Sequence, residues 1–327
     1  MCINDAIASL AKTGEKLDRY LTDMSRLLQL TVLLGSMLPG LGVVTAAETR
    51  LNGTIERLAA GEPVLGHFAF GMSNARALQV ARSGADFVII DLEHQPYDVE
   101  KLRTFLQQMT NKRRILEKGS LQMDVTPFVR LPTSDVSLAG MIAKQVLNMG
   151  AFGLVFPTIN TAEEALSAVQ ASRFPQANGA ADMSPPGKRG FEPFQQAMWY
   201  WGLSSADYLA RADVWPLDGH GELLVVIQIE SRAGVDNIDE ILKVPGIGAI
   251  LIGNFDLSVS LGVPSQLSHP DLLQAVEQVV VASVKAGIPV GTTAGSIASR
   301  LASGQTILLG GSDARGVKAA RAAMESD

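Results

Sequence analysis

Two carboxylates stand where short apolar runs stop. Glu230 closes LLVVIQIE (223–230), and Asp256 closes AILIGNFD (249–256). Runs this short and this rich in Val, Ile and Leu read as strands buried on both faces. A carboxylate at the end of such a strand does not fill a core. Two of them, from consecutive strands, can hold one hard divalent cation and leave its other positions to water and substrate. A third run, FVIID (87–91), leads into Asp91-Leu92-Glu93-His94 and adds an imidazole. Arg130 lies in PFVRL (127–131), and Gln228 is two residues before Glu230, so the two project to one side of their strand. Phe68 sits near the end of the first apolar run. Each residue also has a plainer reading. Asp256 can simply cap a helix, His94 can be a structural hydrogen bonder, and Arg189 can form a loop salt bridge. Asp91 and Glu93 read as supports for the ligands rather than ligands, and His67, His220 and His269 have no partner pattern.

These residues need a frame that gathers strand ends. Eight runs read as strands: 64–70, 87–90, 127–131, 153–156, 223–229, 249–253, 289–293 and 306–310. Amphipathic stretches at 74–83, 97–109, 136–149, 161–172, 270–286 and 315–324 read as helices, the fourth opening with a Thr161/Glu164 capping box. Strands alternating with helices in this number predict a (β/α)8 TIM barrel, whose C-terminal strand ends form the active face. A doubly wound sheet is the rival, but no Gly-x-Gly-x-x-Gly or Gly-Lys-Ser/Thr loop supports it. Two segments exceed a minimal barrel. Residues 111–126 read as a charged, solvated loop. Residues 176–222 hold all three tryptophans and are expected on the catalytic rim, as a lid or subunit contact.

Composition removes other classes. The 327 residues carry net charge −6, and no basic stripe with interleaved aromatics is present, which argues against nucleic acid as a partner. Cys2 is the only cysteine, so any metal must be held by oxygen or imidazole. Near the start, Met24-Ser25-Arg26 is followed by LLQLTVLLGSMLPGLGVV (27–44) and Thr45-Ala46-Ala47. That is the layout of a secretory signal peptide. It predicts cleavage near Ala47, a domain over 49–327 and an exported, periplasmic protein with no stable membrane span. The alternatives are an extra N-terminal helix on a cytoplasmic protein, or an anchor, which the glycines and proline disfavour.

The ordered series Asp-x-Glu-His (91–94), Val-Arg-x-Pro (129–132), Gln-Ile-Glu (228–230) and Asp-Leu-Ser (256–258) is specific. With GADFVIIDLEHQPYD (84–98), GAFGLVFPTINTAEEA (150–165) and GGSDARGVKAARAA (310–323), it resembles the HpcH/HpaI aldolase family over about residues 60–325. These are metal-dependent (class II) pyruvate aldolases related to citrate lyase β chains. The resemblance implies a phosphoenolpyruvate/pyruvate-type barrel that cleaves a 4-hydroxy-2-oxo acid to pyruvate, or a close 2-oxo acid, and an aldehyde through a metal-stabilised enolate. It implies that Glu230 and Asp256 bind Mg²⁺, Mn²⁺ or Co²⁺, that Arg130 grips the 2-oxo acid and that His94 moves protons. By the same resemblance Gln228 lies beside the keto oxygen, the backbone of Gly253, Asn254 and Phe255 receives the substrate carboxylate, and the chain is a homo-oligomer, a hexamer built as a trimer of dimers. Three positions depart from the family. Phe68 stands where Trp is common. Asn148 stands where an Asp orients the histidine. The Arg-Tyr-Pro-Pro-x-Gly-x-Arg-Gly run is split between Arg173-Phe174-Pro175 and Pro186–Gly190. A CoA-thioester lyase of the citrate or malyl-CoA lyase type, and a retired exported binding protein on the same barrel, are the rival functions.

Overall fold

The computed structural model describes residues 50–325 apart from 134, 192, 193 and 312. The apolar run at 27–44 and the expected cleavage at Ala47 lie outside the described residues. Among the described residues no helix is long and apolar enough to cross a membrane.

Eight parallel strands carry the fold: β1 Val64–Ala69, β2 Phe87–Asp91, β3 Thr126–Arg130, β4 Gly153–Phe156, β5 Leu223–Ile229, β6 Ala249–Ile252, β7 Val290–Thr292 and β8 Ile307–Leu309. Pairing runs in chain order from β1 to β7, and β8 returns to pair with β1. Between β7 and β8, Thr306 N–H donates to Val290 O at 3.0 Å, so the sheet is a nearly closed (β/α)8 barrel. Every residue of β2, β3 and β5 is buried. This is the physical reason the apolar runs marked the strands to within a residue or two: a strand covered on both faces leaves no polar alternation.

The helices begin where capping side chains permit. Thr161 and Glu164 form the reciprocal capping box at the helix Ala162–Ser172. Asp98 caps Val99–Met109 and His269 caps Pro270–Lys285, each through a side-chain acceptor. The 111–126 segment differs from the expected loop. Asn111 caps a helix, Lys112–Lys118, closed by Gly119 in the left-handed region, and none of its residues is buried. Arg113 and Arg114 both pair with Glu117 across its turns. Local capping and charge pairing made this helix, and apolar periodicity gave no sign of it.

The 176–222 segment is not on the catalytic rim. It follows the helix Ala162–Ser172 and feeds β5, so it is an αβ connection at the N-terminal end of the barrel. It contains helices Gln195–Trp201 and Ser205–Arg211 and a two-residue strand, Val214–Trp215, beside β5. Trp201 stacks on Phe152 at 4.3 Å and donates its indole N–H to Gly150 O at 2.9 Å, just before β4. Buried Glu222, just before β5, accepts from the backbone N–H groups of Leu51 and Asn52 at 3.0 and 2.9 Å. Arg173 forks onto Asp213 with two 2.7 Å bonds. The insertion is therefore a floor under the barrel, stapled to the strand beginnings.

Candidate active site

The C-terminal mouth is built on strand register. Asp91 and Arg130 are Cα partners at the ends of β2 and β3, so both side chains leave the sheet on the same side. Arg130 Nε donates to Asp91 Oδ1 at 3.0 Å and Nη2 to Oδ2 at 2.8 Å. Both side chains are nearly inaccessible to solvent. Burial alone would raise the Asp91 pKa. The Arg130 hydrogen bonds and charge, with the N–H groups of Glu93 and His94, outweigh it and hold that carboxyl below its usual value. The second Nη2 hydrogen reaches His94 Nδ1 at 2.7 Å. Asp91 Oδ2 lies 3.2 Å from the same nitrogen. Arg130 also sits over the Phe68 ring, 4.8 Å from its centroid.

Glu93 closes the cluster. Its Oε2 is 3.0 Å from Arg130 Nη1 but off the donor direction, and this buried atom makes no hydrogen bond. Burial first, and then the charge of Glu230 and Asp91, push its pKa up against the pull of Arg130 and His94.

Glu230 is buried just beyond the end of β5. Its Oε1 accepts from Thr158 N–H at 2.7 Å and from the Thr158 hydroxyl at 2.8 Å. Its Oε2 accepts from Gln228 Nε2, whose partner oxygen Oε1 is buried without a hydrogen bond. Glu230 packs against Gly253, where a Cβ would overlap Oε2. Gly253 is the N-cap of the helix Asn254–Ser260, and Asp256 stands exposed in its first turn. The Glu230 carboxylate beside the orphaned Gln228 amide oxygen is an oxygen donor set that fits a hard cation.

Two triads of close carboxylate or imidazole atoms also occur among the described residues, Asp91/Glu93/His94 and Asp182/Asp213/Asp218. The first already surrounds the Arg130 guanidinium, and the second holds that of Arg173 through Asp182 and Asp213. A guanidinium at each centre supplies the positive charge that a metal would bring.

Two expectations change. Asn148 ends the helix Val136–Asn148, at the N-terminal side of the barrel, and its side-chain oxygen accepts from Arg189 Nη2 at 2.9 Å. The carboxylate beside the His94 ring is that of Asp91, 3.2 Å from Nδ1. Arg189 is buried against Phe174 and Tyr208 in the same floor, away from the mouth. The backbone groups assigned to the substrate carboxylate are partly used as well. Gly253 N–H donates to Ile229 O at 3.0 Å and Asn254 N–H to Thr293 Oγ1 at 3.0 Å. The N–H groups of Phe255 and Asp256 remain, because the first turn of a helix has no preceding carbonyls to pair with. The sequence reading missed Thr158. Its φ of 51° is unusual for a β-branched residue and has no signature in the apolar pattern.

The HpcH/HpaI aldolase/citrate lyase family model matches residues 65–320. A hydroxypyruvate/pyruvate aldolase of Paraburkholderia phytofirmans is 33% identical over 251 residues, covering 77% of this chain and 86% of its own. A 2-keto-3-deoxy-L-rhamnonate aldolase of Klebsiella pneumoniae is 32% identical over 222 residues, covering 68% and 71%. The solved structure of an HpcH/HpaI aldolase/citrate lyase family protein from Burkholderia cenocepacia aligns with a TM-score of 0.65 at 28% identity, covering 84% of this chain and 98% of that one.

Proposed function

Because the chain belongs to the HpcH/HpaI aldolase/citrate lyase family, and is a carbon–carbon lyase of the class II pyruvate aldolase kind, we propose that its mouth joins and cleaves pyruvate, or hydroxypyruvate, and an aldehyde. Members of the family depend on a divalent metal. Glu230 and Asp256 would hold it here, as Mg²⁺, Mn²⁺ or Co²⁺. When bound, such a cation stabilises the negative charge that develops beside the carbonyl.

The chain's own residues supply the rest. Arg130 offers a planar, permanently charged fork to the 2-oxo acid, and Phe68 and Asp91 fix its plane. The N–H groups of Phe255 and Asp256 receive the substrate carboxylate. Gln228 Oε1 and Nε2 stand beside the keto oxygen. His94 moves the hydroxyl proton. For Nε2 to accept that proton, Nδ1 must carry its own and donate it to Asp91. In the resting arrangement Arg130 donates to Nδ1 instead. An oxo acid that draws the Nη2 hydrogen from Nδ1, with Nε still on Asp91, would leave Nδ1 to pair with Asp91.

One observation supports this reading most. Glu230 is held by Thr158, just past β4, and by Gln228 of β5, against the glycine that opens the Asp256 helix. The test is an aldol screen of pyruvate and hydroxypyruvate against short and sugar-derived aldehydes, with and without EDTA. Turnover that needs added Mg²⁺ or Mn²⁺ is expected; full turnover by the metal-free chain refutes the proposal. The homo-oligomer implied by the family is read by sedimentation velocity, with a hexamer expected.

A further inference from the structure

Thr158 makes two hydrogen bonds to one oxygen. Its backbone N–H and its hydroxyl both end on Glu230 Oε1, at 2.7 and 2.8 Å. Threonine adopts a φ of 51° only where the surroundings impose it. Glycine would take this conformation without strain, but it would bring no hydroxyl. The two donors use both lone-pair directions of Oε1. Oε2 receives only Gln228 Nε2 and lies against Gly253, on the side where the Asp256 helix begins.

We propose that Thr158 is a positioning residue that makes Glu230 a one-oxygen ligand, and that it thereby sets the preference of the site for a small octahedral cation over calcium. The inference rests on the metal reading above and adds to it. Calcium takes six to eight oxygens and readily draws both oxygens of one carboxylate. A glutamate with Oε1 already committed cannot provide the second. Mg²⁺ and Mn²⁺ fill a tighter shell and accept a single oxygen. Groups that orient a ligand in this way commonly change metal affinity by about 10–100-fold when removed.

The test is calorimetric titration of the chelator-stripped full chain with MnCl₂ and with CaCl₂, on wild type, Thr158→Val, Thr158→Ser and Glu230→Ala. Thr158→Val keeps the shape and the backbone donor and loses the hydroxyl. Its ratio of Mn²⁺ to Ca²⁺ affinity should fall about tenfold, and Thr158→Ser should restore it. A purely structural role would lower both affinities together and leave the ratio in place. An unchanged ratio in Thr158→Val, or a Thr158→Ser that behaves like it, overturns the inference while Mn²⁺ binding by wild type still stands. Wild type that binds neither cation, or Glu230→Ala that binds both as wild type does, overturns the metal reading itself. Should Thr158→Val fail to fold, Thr158→Gly relieves the backbone and removes the same hydroxyl, and the same fall in ratio is expected.

Discussion

Asp91 contacts both the guanidinium proposed to bind the oxo acid and the imidazole proposed to move the proton. Replacing it with Asn leaves Arg130 buried beside a neutral amide. Breaking one partner of such a pair costs about 3–5 kcal/mol, and the remaining Glu93 contact places the expected loss near the lower figure. The sign with pH follows from the lowered pKa of Asp91. Its contribution is fully present above the ordinary Asp value, where the unfolded chain is also ionised. It is lost as pH falls through the lower folded value. Urea unfolding of wild type and Asp91→Asn should therefore show a gap at neutral pH that closes in acid; a gap independent of pH contradicts the assignment. The residue types of this cluster were legible in Asp-x-Glu-His and Val-Arg-x-Pro. Its centre was not, because the pairing of Asp91 with Arg130 is a matter of register between two strands 39 residues apart. The place of Asn148 was hidden for a related reason: a helix of 13 residues separates the two ends of the barrel, and equivalence by position does not say which end a residue occupies.

At the scale of elements, the end of β5 and the start of the Asn254–Ser260 helix meet at Gly253. The apolar runs marked both strands and put Glu230 and Asp256 at their ends. They gave no sign that the backbone of one presses on the carboxylate of the other. Gly253→Ala forces Glu230 aside, since the added Cβ would also come within 2.9 Å of the Glu230 Cβ. The Gly253 φ of −84° lies outside the left-handed region, so alanine meets no φ penalty there. Mn²⁺ affinity should fall about tenfold or more while the circular dichroism spectrum stays that of wild type. Unchanged Mn²⁺ affinity in a folded Gly253→Ala would separate Glu230 from the metal. The same junction explains the changed anion site: Ile229 and Thr293 take two of the N–H groups assigned to substrate, a competition invisible to a reading of one strand at a time.

On the scale of the whole molecule, chemistry and scaffolding occupy opposite ends of the barrel. The mouth carries Asp91, Glu93, His94, Arg130, Glu230 and Asp256. The floor carries the long insertion, with Trp201 stacked on Phe152 and Glu222 tied to the first residues of the domain. Trp201→Ala empties a buried site, which costs about 3–5 kcal/mol. The melting temperature should drop while kcat/KM of the folded fraction stays the same; a selective change in aldehyde preference would show that the insertion reaches the mouth. Its aromatic content was plain in the sequence, and its place was decided by a single fact, that the helix Ala162–Ser172 comes before it.

Where a divalent cation settles decides the chemistry of the mouth. Crystals of the full chain grown with MnCl₂ and pyruvate, and measured at the manganese edge, locate it without reference to activity. One anomalous peak is expected at about 2.0–2.4 Å from Glu230 Oε2 and from an Asp256 carboxylate oxygen, with pyruvate oxygens completing the shell and Arg130 on the oxo acid. A peak centred on Asp91, Glu93 and His94 or on Asp182, Asp213 and Asp218, or no peak within reach of Glu230, contradicts it.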